Sequence, residues 1–317
     1  MPISEELQTI INAIPVDFAA PAADYRAVRE MFAPFHGHPV SDELRMVIKE
    51  FGGVRCGKYE IGSAVHTRTV FHCHGGAFVS TTLDEYHFYA EIIARQTDCT
   101  VVIPDYRLAP EDPYPAAADD CFEAYCGLLN SGVNPEDVIL MGESCGGSLA
   151  IGLLLQLREK HLPMPACFVS LTGWFDLSVS GESVDGRDPF LTPQWVRNRG
   201  RDYLAGQMNL DDARVSPAFA DLSNLPPMYL QIGQFDTVRE GATLLAINAL
   251  RSGVDVTMES WPCMIHGWHG LVNAGVPEAA AAWARIRDYI LETKTHGVRA
   301  YEEDGRPDLL AHADSVN

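Results

Sequence analysis

The residues of this chain whose types and spacing could do chemistry are a serine between glycines and, after two later apolar runs, an aspartate and a histidine. Ser144 lies in Gly142-Glu143-Ser144-Cys145-Gly146-Gly147. The run before it, 138–141, has the length and apolarity of a buried strand, and the apolar residues after it suit a helix. A serine on so sharp a strand-to-helix turn is pushed out of the sheet edge in a strained backbone conformation. Side chains two residues either side of it would collide, so Gly142 and Gly146 leave the space. The helix that follows offers free N–H groups and a positive dipole end to a developing anion. This is the local geometry of an activated nucleophile; a glycine-rich strand-to-helix turn with an incidental serine is the plainer alternative.

A serine nucleophile needs a base, a carboxylate to orient the base, and donors for the oxyanion. His266, in Pro262-Cys263-Met264-Ile265-His266-Gly267-Trp268, falls just beyond the last expected strand. Asp236, in Gly233-Gln234-Phe235-Asp236, follows the preceding strand in the same way. Both therefore belong at the sheet edge that carries Ser144, where catalytic groups gather in open α/β sheets. The order serine, aspartate, histidine fits a strand–turn–helix nucleophile and differs from two other serine-hydrolase orders. His269 is close in sequence to His266, but the local geometry turns it elsewhere. Glu240 opens a helix, where a carboxylate is favoured for structural reasons, and Asp255 starts a strand at the wrong end of the sheet. Upstream, His72-Cys73-His74-Gly75-Gly76-Ala77-Phe78 follows the first long apolar strand. Its paired glycines let the backbone turn N–H groups inward, as an oxyanion hole requires. Gly75, Gly76, Ala77 and Cys145 are the expected donors. His72, Cys73 and His74 also suggest a metal site, but no further ligand cluster accompanies them, so no metal is expected. A ring at His74 that pins the glycine loop is the better role.

The elements that must position these residues follow from the apolar pattern. Short strands at 69–73, 100–104, 138–141, 166–171, 228–232 and 255–260 alternate with helices at 86–96, 116–129, 148–160 and 239–252. This alternation predicts an α/β fold with a mostly parallel central sheet and helices on both faces. Residues 1–50 read as amphipathic helices broken by prolines. Residues 51–295 form the expected catalytic domain, and the polar, aromatic stretch 175–215 interrupts it as a cap insertion with a helix near 194–204. Residues 296–317 read as a polar tail.

The chain has 317 residues, enough for one sizeable domain, and 47% of them are hydrophobic. A net charge of −20 repels nucleic acid and anionic membranes, so neither is an expected partner. The eight cysteines include no Cys-x-x-Cys pair and read as reduced core residues. The first residues lack the features of a signal peptide, and no run approaches the roughly 18 apolar residues of a membrane span. A cytoplasmic protein is the expectation. Homodimerisation through an edge strand or the final helix is compatible with the sequence, though no specific feature marks it.

With these motifs the chain resembles the hormone-sensitive-lipase family of bacterial carboxylesterases, within the α/β-hydrolase fold. The family's His-Gly-Gly-Gly-Phe/Trp signature is matched by His74-Gly75-Gly76-Ala77-Phe78, and its Gly-Asp-Ser-Ala-Gly-Gly elbow by residues Gly142 to Gly147. Further matching blocks are Asp105 to Glu111, Ser216-Pro217, Leu225-Pro226-Pro227, Asp236 to Gly241 and His266-Gly267-Trp268. The resemblance runs from about residue 55 to 290. It implies a helical cap built from the N-terminal residues 1–50 and the 175–215 insertion, and a serine esterase that hydrolyses short- to medium-chain acyl esters through an acyl-enzyme, with Ser144, Asp236 and His266 as its triad and no cofactor. Three residues depart from the pattern. Ala77 replaces a glycine, which leaves its N–H in place unless the position needs a positive φ. Glu143 replaces aspartate and lengthens a side chain that supports the elbow. Cys145 replaces alanine and is read as a small residue contributing only its N–H, the alternative being a thiol open to modification. Trp174, Phe175, Phe190, Trp195 and Trp268 either line the acyl or alcohol pocket or are core. A lactone, an acetylated natural product or an acyl amide are rival substrates, and a non-catalytic small-molecule receptor on the same fold is the rival from another class.

Overall fold

The computed structural model describes residues 3–14, 24–36, 39–62, 66–181 and 187–295. The expected tail, 296–317, and parts of the expected cap, 15–23, 37–38 and 182–186, lie outside the described residues.

Fully apolar runs form the middle of the sheet. β3 (Thr69–Cys73), β4 (Thr100–Pro104), β5 (Val138–Glu143), β6 (Cys167–Leu171) and β7 (Met228–Gly233) are buried along almost their whole length. That is the pattern of parallel strands covered on both faces. β8 (Val256–Trp261) closes one edge. β1 (Leu44–Phe51) and β2 (Val54–Ile61) form an antiparallel hairpin at the other. Among the described residues, one eight-stranded sheet results, in the order β1-β2-β4-β3-β5-β6-β7-β8. β3 to β8 run parallel, and β2 pairs antiparallel with β4.

The alternation of side chains along the strands sorts the core onto two faces. Val70, Ile139, Met141, Val169 and Tyr229 pack with α3 (His87–Thr97) and α8 (Pro277–Thr295), through Ile92, Ile93, Trp283, Ile286 and Ile290. Their strand neighbours Phe71, Leu140, Phe168 and Leu230 face α4 (Ala116–Asn130), α5 (Cys145–Glu159) and α7 (Arg239–Arg251), meeting Phe122, Leu149, Leu153 and Leu245. Each such side chain contributes about 1.5–3 kcal/mol by leaving water, so the strands are held far more firmly than the loops at their ends.

One boundary differs from the expectation. Leu44–Phe51 is a strand, so the N-terminal helical region does not extend to residue 50. Six of its eight residues are exposed because it is an edge strand with one neighbour, and this removes the in–out pattern by which a strand is recognised. The signal the sequence does carry is Gly52-Gly53, which makes the two-residue turn at φ 58° and 81°. Upstream, α1 (Glu5–Ala13) is capped by Ser4, whose hydroxyl accepts the Leu7 N–H. α2 (Tyr25–His36) follows it. In the 175–215 segment, α6 (Pro193–Leu204) begins at Thr192, whose hydroxyl accepts the Trp195 N–H.

Candidate active site

The elbow is built from one short piece of chain. Ser144 sits between β5 and α5 at φ 53°, ψ −125°, a conformation an L-residue adopts only under constraint. The constraint is visible on all sides. Ser144 N–H donates to the Leu171 carbonyl at 3.1 Å, and the Trp174 N–H donates to the Ser144 carbonyl at 2.8 Å. A Cβ on Gly142 would stand 2.6 Å from the Gly146 carbonyl oxygen, and one on Gly146 only 2.0 Å from that of Cys73. Both contacts are with backbone, which cannot swing aside. The two glycines are therefore required by the close passage of β3, β5 and α5.

The other two groups arrive on loops from the same sheet edge. Asp236 lies in the turn between β7 and α7, and His266 in the loop after β8. With the ring proton on Nδ1, His266 donates to Asp236 Oδ1 at 3.0 Å, and its Nε2 accepts the Ser144 hydroxyl at 2.9 Å. The second hydrogen bond to Asp236 Oδ1 comes from the Val238 N–H at 2.9 Å. Burial alone would depress the His266 imidazolium. The carboxylates of Asp236, Asp188 and Glu143 outweigh it and raise the pKa to about 9.

The glycine loop after β3 curls over this serine. Gly76, Ala77 and Phe78 have φ of 111°, 55° and 65°. Ala77 thus occupies the left-handed region, and its methyl is carried there at a cost of about 1 kcal/mol relative to glycine. Gly76 and Ala77 line a cavity together with Ser144 and His266. Gly75 does not line that cavity, and the Glu143 carboxylate packs against it. Glu143 Oε2 accepts the Tyr86 hydroxyl at 2.8 Å. Burial raises the Glu143 pKa. Cys145 opens α5 beside the loop, and its side chain is fully buried. Its sulfur accepts the Phe78 N–H at 3.2 Å, and burial pushes the thiol up to about 12. It props the loop and has none of the exposed, thiolate character that modification requires. His74 Nδ1 lies 2.8 Å from the Gly75 carbonyl, and its ring stacks on Tyr106 at 4.0 Å. Tyr106 in turn donates its hydroxyl to the His74 carbonyl at 2.8 Å.

The alternatives weighed from the sequence lie elsewhere. His269 is buried against Gln231, 2.8 Å from Nε2 to Oε1, and burial lowers its pKa to about 3, so it stays neutral. Glu240 is in the first turn of α7, and Asp255 precedes β8 at the far end of the sheet. His72 is buried with Nε2 3.3 Å from the Tyr86 hydroxyl. Asp188, from the 175–215 segment, was not singled out by sequence reasoning. One donor atom from each of Asp188, Asp236 and His266 lies within 4.8 Å of the other two. Their chemistry would suit a cation, but both imidazole nitrogens are already engaged, one by Asp236 and one by Ser144.

The cavity in front of Ser144 measures about 70 Å³. Trp174, Leu191, Trp195, Val196 and Val238 form its apolar wall. Of the other aromatics, Phe175 is buried in the core, and Trp268 packs with Leu7 of α1 and Met264 and Ile265 of the histidine loop.

Known proteins are similar to this chain in sequence and fold. The family model described as the alpha/beta hydrolase fold matches residues 70–270. An esterase of Acinetobacter venetianus is 33% identical over 270 residues, which is 81% of this chain and 88% of that protein. An acetyl-hydrolase of Streptomyces hygroscopicus is 35% identical over 208 residues, 64% of this chain and 68% of that one. The crystal structure of an esterase from the bacterial hormone-sensitive lipase family superposes with a TM-score of 0.86 at 32% identity, covering 92% of this chain and 99% of the other. The chain belongs to the α/β-hydrolase fold family and, within it, to the bacterial hormone-sensitive-lipase branch of carboxylic ester hydrolases.

Proposed function

We propose that the chain hydrolyses esters of small carboxylic acids, with Ser144 as nucleophile, His266 as general base and acid, and Asp236 as the carboxylate that orients it. The observation that carries this reading is the unbroken relay from Ser144 Oγ through the imidazole to Asp236 Oδ1, at 2.9 and 3.0 Å. Ser144 Oγ attacks the carbonyl carbon as its proton passes to His266 Nε2, and the tetrahedral oxyanion forms. The N–H groups of Gly76, Ala77 and Cys145 receive that charge, and each such donor contributes about 10²–10³-fold to the rate. Collapse breaks the bond to the alcohol oxygen, which leaves with the proton from Nε2. A water then loses its proton to Nε2 and attacks the acyl carbon. The second collapse returns that proton to Ser144 and frees the acid.

The wall of the cavity supports a small acyl group. Its volume of about 70 Å³ is less than half that of a ~150 Å³ cavity that admits benzene, and Trp174 and Trp195 border it. Leu191, Trp195 and Val196 come from the 175–215 segment, and Leu7 of α1 packs on the histidine loop. We read these two regions as the cap over the site. The Streptomyces relative is named for acetyl hydrolysis, so acetyl esters are the first class to assay.

Ser144→Ala is expected to lower kcat on p-nitrophenyl acetate by about 10⁴–10⁶-fold. Turnover at the wild-type rate would refute the assignment. A series of esters from acetate to palmitate should peak at the short end, and a maximum at palmitate would refute the small-acyl reading.

No described helix is long and apolar enough to cross a membrane. All eight cysteines are free, which supports the reading of a cytoplasmic enzyme. Exposed apolar side chains stand on both edge strands and on α8, at Met46, Val47 and Ile48, at Met258 and at Leu291. They support a homodimer, which sedimentation of the full chain would test.

A further inference from the structure

Arg187-Asp188-Pro189-Phe190-Leu191 precedes α6 in a segment without periodicity. An aspartate before a proline is a common turn former, and Asp188 does shape its own loop. Its Oδ1 accepts the N–H of Phe190 at 2.9 Å and of Leu191 at 3.3 Å. Two further facts exceed a turn. Asp188 Oδ2 accepts the N–H of Thr237, the residue after Asp236, at 3.1 Å. The Thr237 hydroxyl returns the contact by donating to the Leu191 carbonyl at 2.7 Å. Beside this seam the Arg187 guanidinium lies over the Phe235 ring at 4.1 Å. The turn that carries Asp236 is thus stitched to the segment that supplies Leu191 to the cavity wall.

The stitch is also a charge. Asp188 is 6% exposed, and an oxygen of its carboxylate lies within 4.8 Å of both an Asp236 oxygen and a His266 nitrogen. Asp236 Oδ2 is itself buried without a hydrogen-bond partner. The groups that face the imidazole are Asp236, Asp188 and Glu143, with neutral His269 nearby; those that face Asp188 are Asp236 and His266.

We propose that Asp188 is a positioning residue for the reaction, holding the Asp236 turn against the cavity wall and acting as a second buried carboxylate that stabilises the protonated imidazole. The inference rests on the esterase reading above. Burial, then repulsion from Asp236, raises the Asp188 pKa, and the surrounding carboxylates raise that of His266 against the effect of burial. The ionised Asp188 carboxylate, with an oxygen within 4.8 Å of a ring nitrogen, favours the protonated imidazole. Removing that charge lowers the imidazole pKa and moves the acid limb of the rate profile to lower pH.

The test uses the full chain with Asp188→Asn, whose single amide oxygen can keep the Phe190 and Leu191 N–H groups but turns its amide nitrogen to the Thr237 N–H, so that the charge and the seam bond are lost together. Asp188→Asn is expected to shift the acid limb of kcat/KM for p-nitrophenyl acetate down by about one pH unit. Its kcat should fall about tenfold with KM changed less than about twofold. A folded Asp188→Asn protein whose acid limb stays in place would overturn the proposal, whether or not its kcat falls. The second measurement needs no turnover: the imidazole of His266 is titrated by NMR in Ser144→Ala, with and without Asp188→Asn. A downward shift supports the proposal and an unmoved titration overturns it. If Ser144→Ala hydrolyses the ester like the wild type, the esterase reading falls, and the NMR titration still decides whether Asp188 acts on His266.

Discussion

Ser144 and the His266–Asp236 pair are held in place by different means. Ser144 is fixed within a few residues of itself, by two glycines and by the strands on either side of β5. His266 and Asp236 sit on loops whose geometry depends on distant segments: Leu7 of α1 is buried against Met264, Ile265 and Trp268, and Asp188 reaches Thr237 across 49 residues. One side of the site is a local steric solution. The other is a tertiary agreement among loops.

Substitutions on the two sides should therefore fail differently. Gly146→Ala should do most damage, because its Cβ would stand 2.0 Å from the Cys73 carbonyl oxygen and no rotamer relieves that. A stability loss of about 3 kcal/mol or more is expected, read by chemical denaturation. A folded, fully active Gly146→Ala protein would show that the elbow is looser than its contacts imply. Leu7→Ala comes next. It leaves a cavity under the histidine loop at a cost of about 2–3 kcal/mol, with kcat falling more than KM rises as the imidazole loses its alignment. An unchanged kcat in that variant would separate α1 from the site. The smallest change is expected for Ala77→Gly. Relief of the left-handed alanine, about 1 kcal/mol, is offset by the greater freedom of unfolded glycine, so stability stays within about 1 kcal/mol. A fall in kcat beyond tenfold would mean that the methyl itself shapes the loop.

The same division explains what could be read in advance. Ser144, Asp236 and His266 each follow an apolar run that ends in a turn, so their chain positions alone place them at one edge of the sheet. The parallel strands were equally legible, since residues buried on both faces leave unbroken apolar runs. β1 was not, because an edge strand with an exposed face has no core pattern to display. Asp188 was missed for a related reason: its segment has no period, and its partner Thr237 is remote in sequence. The packing of Glu143 against Gly75 and the contact of Cys145 with Phe78 depend on side-chain reach, which motif spacing does not encode.

The cavity wall formed by Leu191, Trp195 and Val196 belongs to a stretch inserted between β6 and β7, whereas Ser144, Asp236 and His266 ride on the strands and turns of the frame itself. On the proposed reading, the residues that select the acid and those that react with its ester occupy separable parts of the chain. A graft from a relative with a roomier wall can widen the range of acids accepted without rebuilding the frame. Its junction must preserve the Asp188–Thr237 seam, because an exchange that resized the chamber and broke that seam would disturb the proton relay along with the fit.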